Sequence, residues 1–283
     1  MTMPDPTILD QMYNVRALVP ECGTMLQRWA QNSEAEREQQ DCFLDVSYGA
    51  GVNESLDIFP SAANDAPVLI FIHGGYWRSL DKADHSFIAP AFTQQGACVV
   101  VPNYALCPAA TLPDIVLQLV QAVAWVYHHI EQYGGDRSRI TVAGHSAGGH
   151  LAAMMLCTLW TQHDPDLPVN VVKNALAISG LYELATIMHT PYLQETLHLT
   201  EAQVRRVSPA WMPAPQTGWL AAVVGSDETA EFLRHNQLIE QAWGKQAVPI
   251  CESLPGLNHF SVLETLALPG QRLHQIALEM LQK

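Results

Sequence analysis

Short apolar runs that alternate with helical patterns restrict the fold of this chain more than any other feature. Two of these runs, VLIFI at 68–72 and CVVV at 98–101, contain no polar residue. Continuous apolar runs of this kind are typical of strands that helices cover on both faces of a parallel sheet. Between the runs, apolar residues recur every three or four positions, which indicates helices that pack on the sheet. The order of elements therefore predicts an α/β protein with a mostly parallel sheet.

The predicted sheet has eight strands. They lie at 42–48, 56–59, 68–72, 97–101, 139–142, 175–179, 220–224 and 248–253. The first two are joined without a helix, so we expect them to form an antiparallel extension at one edge. Helices are predicted at 114–133, which has an apolar stripe, and at 146–160, which is apolar nearly all round.

The whole chain, residues 1–283, is predicted to form one domain. Residues 181–217 lack the alternating pattern and are interrupted by polar and aromatic side chains. Two interpretations stay open for this segment. It is either a small helical lid over the carboxyl ends of the strands or an ordinary surface insertion.

Composition excludes several classes of partner. The formal net charge of −14 repels nucleic acid and anionic membrane surfaces, and the sequence has no run of about 18 apolar residues that could span a membrane. The first fourteen residues lack a basic start followed by an apolar stretch, and the six cysteines form no CxxC pair. We therefore expect a cytoplasmic protein that acts on a small molecule, and a homodimer is compatible with the sequence.

Residues 144–148, GHSAG, lie between the strand that ends in TVA and the long apolar helix. A strand, sharp turn and helix around G-x-S-x-G form a nucleophile elbow, which lifts a serine hydroxyl above the sheet. The turn is crowded two residues before and two residues after the serine, and Gly144 and Gly148 occupy those places. The pattern predicts Ser146 as a nucleophile.

The strand at 68–72 ends in His73, Gly74 and Gly75. Glycines at this place expose backbone N–H groups, and hydrolases with a nucleophile elbow hold half of an oxyanion hole there. We expect Gly74 or Gly75 to act with Ala147 and to stabilise the negative oxygen of a tetrahedral intermediate. A simple Gly-Gly turn after a strand is the alternative.

An acid and a base should follow the serine in that order. Asp227 comes directly after a strand and is the predicted acid, with its neighbour Glu228 as the rival and a helix N-cap as the alternative role. His259 follows the last strand in a loop and is the predicted base. His235 and His274 fall within helical patterns and are expected at the surface.

This order of residues predicts a serine hydrolase that works through an acyl-enzyme. Twelve histidines could in principle bind a metal, but no HExxH motif occurs and His128 and His129 are adjacent. We predict neither a metal nor a cofactor. A protein that kept this shape only to bind a ligand is a further hypothesis, which labelling by a fluorophosphonate would exclude.

Residues 73–78, HGGYWR, and 144–153, GHSAGGHLAA, resemble the kynurenine formamidase (arylformamidase) branch of the α/β-hydrolases, which is close to the hormone-sensitive-lipase-like esterases. Further resemblance lies at 12–20, 101–116 and 178–184. It implies an α/β-hydrolase fold, a triad of Ser146, Asp227 and His259, and an oxyanion hole at Gly74, Gly75 and Ala147. It also implies that N-formylkynurenine is cleaved to formate and kynurenine.

Three residues beside the predicted oxyanion hole are assigned to substrate binding. Tyr76 and Trp77 would restrict the acyl space to a small group and offer flat surfaces to an aryl leaving group, or they pack in the interior. Arg78 or Arg16 could bind a substrate carboxylate. A carboxylesterase for short-chain acyl or aryl esters is the alternative function.

Overall fold

Eight strands form one sheet in the computed structural model, which describes residues 5–282. They are β1 (Phe43–Ser47), β2 (Ser55–Phe59), β3 (Ala66–Ile72), β4 (Cys98–Pro102), β5 (Gly135–His145), β6 (Val172–Ile178), β7 (Leu220–Gly225) and β8 (Ile250–Leu254). Their order across the sheet is β1-β2-β4-β3-β5-β6-β7-β8. β1 and β2 run antiparallel to their neighbours, and β3 to β8 are parallel. The predicted sheet and its antiparallel edge are confirmed.

Helices connect the strands and cover both faces of the sheet. The α-helices are α1 (Pro6–Tyr13), α2 (Val15–Leu18), α3 (Cys22–Gln39), α4 (Pro90–Thr93), α5 (Leu112–His129), α6 (Ala147–Leu156), α7 (Trp160–His163), α8 (Ala185–Met188), α9 (Pro191–Leu197), α10 (Glu201–Arg206), α11 (Ala230–Trp243), α12 (Ser261–Glu264) and α13 (Arg272–Leu281). Short 3₁₀ turns lie at 82–84, 86–88, 130–133, 209–211 and 265–267.

The two helices predicted from the sequence illustrate how local chemistry places the elements. α5 begins with a capping box, in which the Thr111 hydroxyl accepts from the Asp114 N–H and the Asp114 carboxylate accepts from the Thr111 N–H. Its buried residues recur every three or four positions, as the stripe predicted. All ten residues of α6 are buried, because this helix lies against β5 and β6 in the middle of the domain.

The N-terminal helices α1 to α3 were not predicted. α1 packs against α8, α9 and α11, and α3 packs against the 3₁₀ turns at 82–88. The segment 181–217 forms α8 to α10 and one 3₁₀ turn, and its role as a lid stays a prediction. Residues 1–4, part of the N-terminal stretch used above to predict location, lie outside the described residues. Among residues 5–282, no helix is both long enough and apolar enough to cross a membrane.

Candidate active site

Ser146 lies in a strained turn between β5 and α6. Its backbone has φ 58° and ψ −118°, a conformation that non-glycine residues rarely adopt. A Cβ on Gly144 would lie 2.1 Å from the Gly148 carbonyl oxygen, and a Cβ on Gly148 would lie 2.0 Å from the carbonyl oxygen of Ile72. Neither contact is sterically allowed, so both positions require glycine. The tight turn predicted from GHSAG is confirmed.

His259 pairs with Glu228 and not with Asp227. The His259 Nδ1–H donates to Glu228 Oε2 at 2.6 Å, and both side chains are buried. The other carboxylate oxygen, Oε1, accepts from the Gly225 N–H at 2.9 Å and from the Ser179 hydroxyl. Three donors therefore fix the Glu228 carboxylate in one orientation beside the imidazole.

The predicted pairing of Asp227 with His259 is wrong, and the shape of the turn after β7 explains why. The Glu228 N–H bonds back to the Gly225 carbonyl, and the Asp227 N–H bonds to the Leu257 carbonyl. This turn leaves the Asp227 side chain exposed, where it accepts only from the Ser226 hydroxyl. The next residue points inward, and the longer side chain of Glu228 reaches the ring.

His145 holds the loop that carries His259. Its Nε2–H donates to the His259 carbonyl oxygen at 2.8 Å, and the two ring centroids lie 4.7 Å apart. Burial and the neighbouring His259 ring lower the pKa of His145 well below its ordinary value, so this ring stays neutral. The Phe232 ring packs on His259 from another side, with its centroid 4.5 Å away. The His259 imidazole is thus fixed by contacts on several sides.

The loop after β3 has the features of an oxyanion hole. Gly74 lies directly against the serine turn, since a Cβ there would lie 3.2 Å from Ser146 Cβ. The Tyr104 hydroxyl donates to the His73 carbonyl oxygen at 2.9 Å and lies 3.3 Å from the Gly74 carbonyl oxygen, so it holds this loop. In a trans peptide the C=O and the next N–H point in opposite directions. Fixing the Gly74 carbonyl therefore directs the Gly75 N–H the other way.

The predicted N–H donors are available for a ligand. Ala147 is the first residue of α6, where an N–H has no partner within its own helix. In the described part of the chain, no carbonyl oxygen accepts from the N–H of Gly75 or of Ala147. Gly75 has φ 100°, and a Cβ there would lie 2.1 Å from the Ser79 carbonyl oxygen, so this turn also requires glycine.

Ser146 and His259 line the same cavity, which has a volume of about 460 Å³. That size is typical of sites for small organic molecules. Its described lining residues are Asn14, Val15, Arg16, Leu26, Trp29, Gly75, Tyr76, Arg78, Ser79, Leu80, His145, Ser146, Tyr192, Thr196, His259 and Phe260. The strand ends supply the reactive groups, and residues 14–29 together with α9 supply much of the remaining wall.

The three predicted substrate-binding residues have different places. Tyr76 lines the cavity, and its hydroxyl donates to the Tyr13 carbonyl oxygen at 2.7 Å. Trp77 is wrong as a cavity residue: its side chain is fully buried and packs edge-on against the ring of His150, 5.1 Å away. Both residues have positive φ, and this tight turn sends consecutive side chains to opposite sides. Arg78 lines the cavity and donates to the Tyr192 carbonyl and the Thr196 hydroxyl.

Much of the aromatic wall of the cavity was not predicted from the sequence. Trp29 and Phe260 lie together at one side of the cavity, with ring centroids 6.1 Å apart, and Tyr192 lies against Tyr76. Trp29 belongs to α3, whose mixed polar sequence gave no sign of a cavity-lining face. The resemblance at 12–20 was the one signal that drew attention to the N-terminal segment.

A buried polar cluster fastens the N-terminal segment to the rest of the molecule. The Tyr13 hydroxyl lies 2.6 Å from Thr186 Oγ1, 2.7 Å from Glu231 Oε2 and 2.9 Å from His235 Nε2. His235 Nδ1 accepts from the Tyr182 N–H, so its Nε2 carries the proton and donates to Tyr13. Burial lowers the pKa of His235 and keeps it neutral. The predicted surface positions of His235 and His274 are wrong, because both side chains are buried.

Comparisons with known proteins agree with this fold. The family model BD-FAE matches residues 56–197. The kynurenine formamidase of Danio rerio is 32% identical over 259 residues, which cover 89% of this chain and 86% of that protein. LipM of Mycobacterium tuberculosis is named a probable carboxylic ester hydrolase. It is 38% identical over 166 residues, which cover 54% of this chain and 36% of that protein.

Similarity to a solved structure extends along nearly the whole chain. A crystal structure from Silicibacter sp. tm1040, provisionally described as a thioesterase, superposes with a TM-score of 0.82 at 31% identity. The match covers 95% of this chain and 98% of that one. The predicted α/β-hydrolase architecture is confirmed by this agreement over the whole sheet and its helices.

Proposed function

The chain belongs to the kynurenine formamidase family of α/β-hydrolases, and we propose that it removes the formyl group from an aryl formamide such as N-formylkynurenine. In this proposal Ser146 is the nucleophile, His259 the base and Glu228 the acid, with the N–H groups of Gly75 and Ala147 as oxyanion donors. The observation that carries the proposal is the buried Glu228–His259 pair at 2.6 Å, at the edge of the cavity that Ser146 also lines.

The chemistry would proceed in two balanced steps. His259 Nε2 takes the Ser146 proton while the oxygen attacks the formyl carbon, and Glu228 stabilises the imidazolium through Nδ1–H. The N–H groups of Gly75 and Ala147 hold the resulting oxyanion. When this intermediate collapses, the C–N bond breaks, and the arylamine leaves with the proton from His259. Water, deprotonated by the same ring, then releases formate and restores the Ser146 hydroxyl.

The cavity walls support an aryl leaving group. Four aromatic side chains line the space near Ser146: Trp29, Tyr76, Tyr192 and Phe260. Flat rings that pack edge-on or offset give favourable contacts to another aromatic ring. Family membership supplies the substrate class, and this aromatic lining is compatible with it.

A direct test measures the release of kynurenine and formate from N-formylkynurenine by the purified protein. We expect turnover that is lost in Ser146→Ala and retained in Ser138→Ala, because Ser138 is an exposed serine far from the cavity in the fold. A fluorophosphonate should label the wild type and Ser138→Ala but not Ser146→Ala. Failure of the wild type to become labelled would favour a protein that only binds its ligand.

Hydrolysis of short-chain or aryl esters is the second candidate function. The similarity to LipM over half of the chain favours it, and the same serine and histidine would perform it. Rates on N-formylkynurenine and p-nitrophenyl acetate separate the two functions. Rapid ester turnover with no formamide turnover would reject the formamidase proposal.

The proposal includes a location in the cytoplasm. The six cysteines form no disulfide among the described residues, which is the usual state in a reducing compartment. Fractionation of cells that express the protein tests this location.

A further inference from the structure

We propose that the cavity selects its substrate by a carboxylate on the leaving group, that Arg16 binds this carboxylate, and that no side chain recognises an amino group beside it. The inference rests on the proposed function, since it concerns the leaving group of the same reaction. The expected substrates are anionic aryl formamides, whether or not they are amino acids.

The charges around the cavity favour an anionic ligand. The chain has 28 acidic residues against 14 lysines and arginines, yet none of the described lining residues is Asp or Glu, whereas Arg16 and Arg78 both line the cavity. Arginine keeps its positive charge at any physiological pH. A cavity with this lining in an acidic protein concentrates anions and gives an ammonium group no carboxylate partner.

Arg16 and Arg78 differ in how their guanidinium groups are already used. Arg78 Nη1 donates to the Tyr192 carbonyl oxygen at 2.8 Å and lies 3.1 Å from Thr196 Oγ1, and its guanidinium carbon lies 5.1 Å from the centre of the Tyr192 ring. These contacts join the turn after β3 to α9. Arg78 is therefore a positioning residue for the wall that Tyr192 and Thr196 form.

The Arg16 guanidinium has fewer and weaker contacts than that of Arg78. Its Nη2 donates to the Ser79 hydroxyl at 3.2 Å, a long bond to a neutral partner. Its side chain is exposed, and within residues 5–282 it forms no ion pair with a carboxylate. A ligand carboxylate would replace this weak contact by charge-assisted, two-pronged hydrogen bonds.

The place of Arg16 suits the far end of a leaving group. The Ser79 hydroxyl that it contacts donates in turn to the Gly75 carbonyl oxygen at 3.0 Å. Arg16 therefore lies beside the turn that carries the Gly75 N–H. A substrate with its formyl carbon at Ser146 and its ring along the aromatic wall would extend its remaining substituent toward Arg16. The nearby Glu228 carboxylate is fully engaged by its three donors and cannot serve an ammonium group.

Three substrates separate the carboxylate from the amino group. They are N-formylkynurenine, its analogue without the α-amino group, and its analogue with a primary carboxamide in place of the α-carboxylate. For the wild type we expect kcat/KM to change little when the amino group is removed, and to fall about 10- to 100-fold when the carboxylate becomes a carboxamide. A larger loss on removing the amino group than on removing the carboxylate would overturn the inference.

Three variants assign the effect to one residue. Arg16→Gln should abolish the preference for the carboxylate, mainly through KM, so that the carboxylate and carboxamide substrates have similar kcat/KM. Arg205→Gln, a change at an exposed arginine of α10, should keep the full preference. Arg78→Gln should lower turnover of all three substrates and keep the preference. Loss of the preference in Arg78→Gln but not in Arg16→Gln would reject the assignment to Arg16.

Failure of the proposed function would be recognised separately. An enzyme that hydrolyses p-nitrophenyl acetate but none of the three formamides is not a formamidase. The anion site is then tested with an aryl acetate that carries the charge on its leaving group, 3-(4-acetoxyphenyl)propanoate, against its primary amide. A preference for the anionic ester that disappears in Arg16→Gln would support the site, and equal rates would overturn it.

Discussion

Two regions meet at the cavity and are built in different ways. The strand-end region consists of the loops that follow β3, β5, β6, β7 and β8 and carries Ser146, Glu228, His259 and the N–H groups of Gly75 and Ala147. The outer wall consists of residues 14–29 and α9. In the strand-end region, backbone crowding fixes the serine turn, because a Cβ on Gly148 would lie 2.0 Å from the Ile72 carbonyl oxygen, and buried hydrogen bonds hold Glu228 and His259 beside it.

The outer wall depends on side-chain hydrogen bonds between distant segments instead. Tyr13 contacts Thr186 and Glu231, which are 173 and 218 residues away in the sequence. The Tyr13 carbonyl oxygen also accepts from the hydroxyls of Tyr76 and Tyr192, each at 2.7 Å. We therefore expect the strand-end region to determine the reaction, and the outer wall to determine the choice of substrate through contacts that can change without disturbing the sheet.

The largest expected effect concerns the acid in the strand-end region. Glu228→Gln keeps the shape of the side chain but removes the charge that stabilises the His259 imidazolium, so kcat should fall by about 10⁴-fold. Asp227→Asn is the matched control, because this neighbouring side chain is exposed and, among residues 5–282, accepts a hydrogen bond from Ser226 alone. Steady-state kinetics on the same substrate measure both. Equal losses in the two variants, or a larger loss in Asp227→Asn, would reject Glu228 as the acid.

The identity of the acid could not be predicted from the sequence. The eight strands and the glycine turn could be predicted, because each depends on local crowding or on apolar patterning, whereas the catalytic roles of the serine, the carboxylate and the histidine stay predictions. The sequence at 225–228, GSDE, offers two adjacent carboxylates. The choice between them depends on hydrogen bonds to Leu257 and Ser179, which belong to other loops. No local pattern records those contacts.

Acid should destabilise the fold around the strand-end region through buried histidines. Burial lowers the pKa of His85 to about 3 and that of His150 to about 4. His85 lies beneath the strand-end region beside His73, and His150 donates to the Val207 carbonyl after α10. Since the unfolded-state pKa is about 6.5, the unfolded chain binds these protons first as the pH falls. The stability from both neutral rings is therefore complete above about pH 6.5 and is lost progressively below it.

The expected loss for these two rings together is about 2 kcal/mol of unfolding free energy between pH 6.5 and pH 5.5. Urea unfolding at the two pH values measures it. In His150→Gln, which cannot take up this proton, the difference between the two pH values should shrink by about 1 kcal/mol. An unfolding free energy that does not change between the two pH values would contradict buried, neutral histidines at these positions.

A smaller effect is expected from the side chain that fixes the oxyanion loop. Tyr104→Phe removes the hydroxyl that donates to the His73 carbonyl oxygen and lies 3.3 Å from the Gly74 carbonyl oxygen, so the loop that carries the Gly75 N–H is held less firmly. We expect kcat to fall about tenfold with little change in KM, less than the loss of about 100-fold or more that follows deletion of a donor. Tyr48→Phe is the control, because Tyr48 is also buried but donates to the Asn103 carbonyl. Similar kinetics of the two variants would refute a role in directing the loop.

The outer wall could not be predicted in the same way. Trp29 lies in a helix of mixed polarity, and Trp77 looked suitable only because it follows Tyr76. The side that each of these rings faces depends on how α3 and the turn at 75–79 pack in three dimensions. Patterns of period two or 3.6 describe regular elements, and neither applies to consecutive residues with positive φ.

The smallest effect should come from loosening the outer wall at its anchor. Tyr13→Phe removes the hydroxyl shared by Thr186, Glu231 and His235, while Glu231 keeps its ion pair with Arg234 at 2.9 Å. Because residues 14–16 follow Tyr13 directly, KM should rise about threefold, equivalent to about 0.6 kcal/mol, with kcat unchanged. Tyr127→Phe on α5 lies outside the cavity and should keep the wild-type KM. A fall in kcat without a change in KM would mean that Tyr13 acts on the strand-end region. The two regions would then not divide reaction and substrate choice between them.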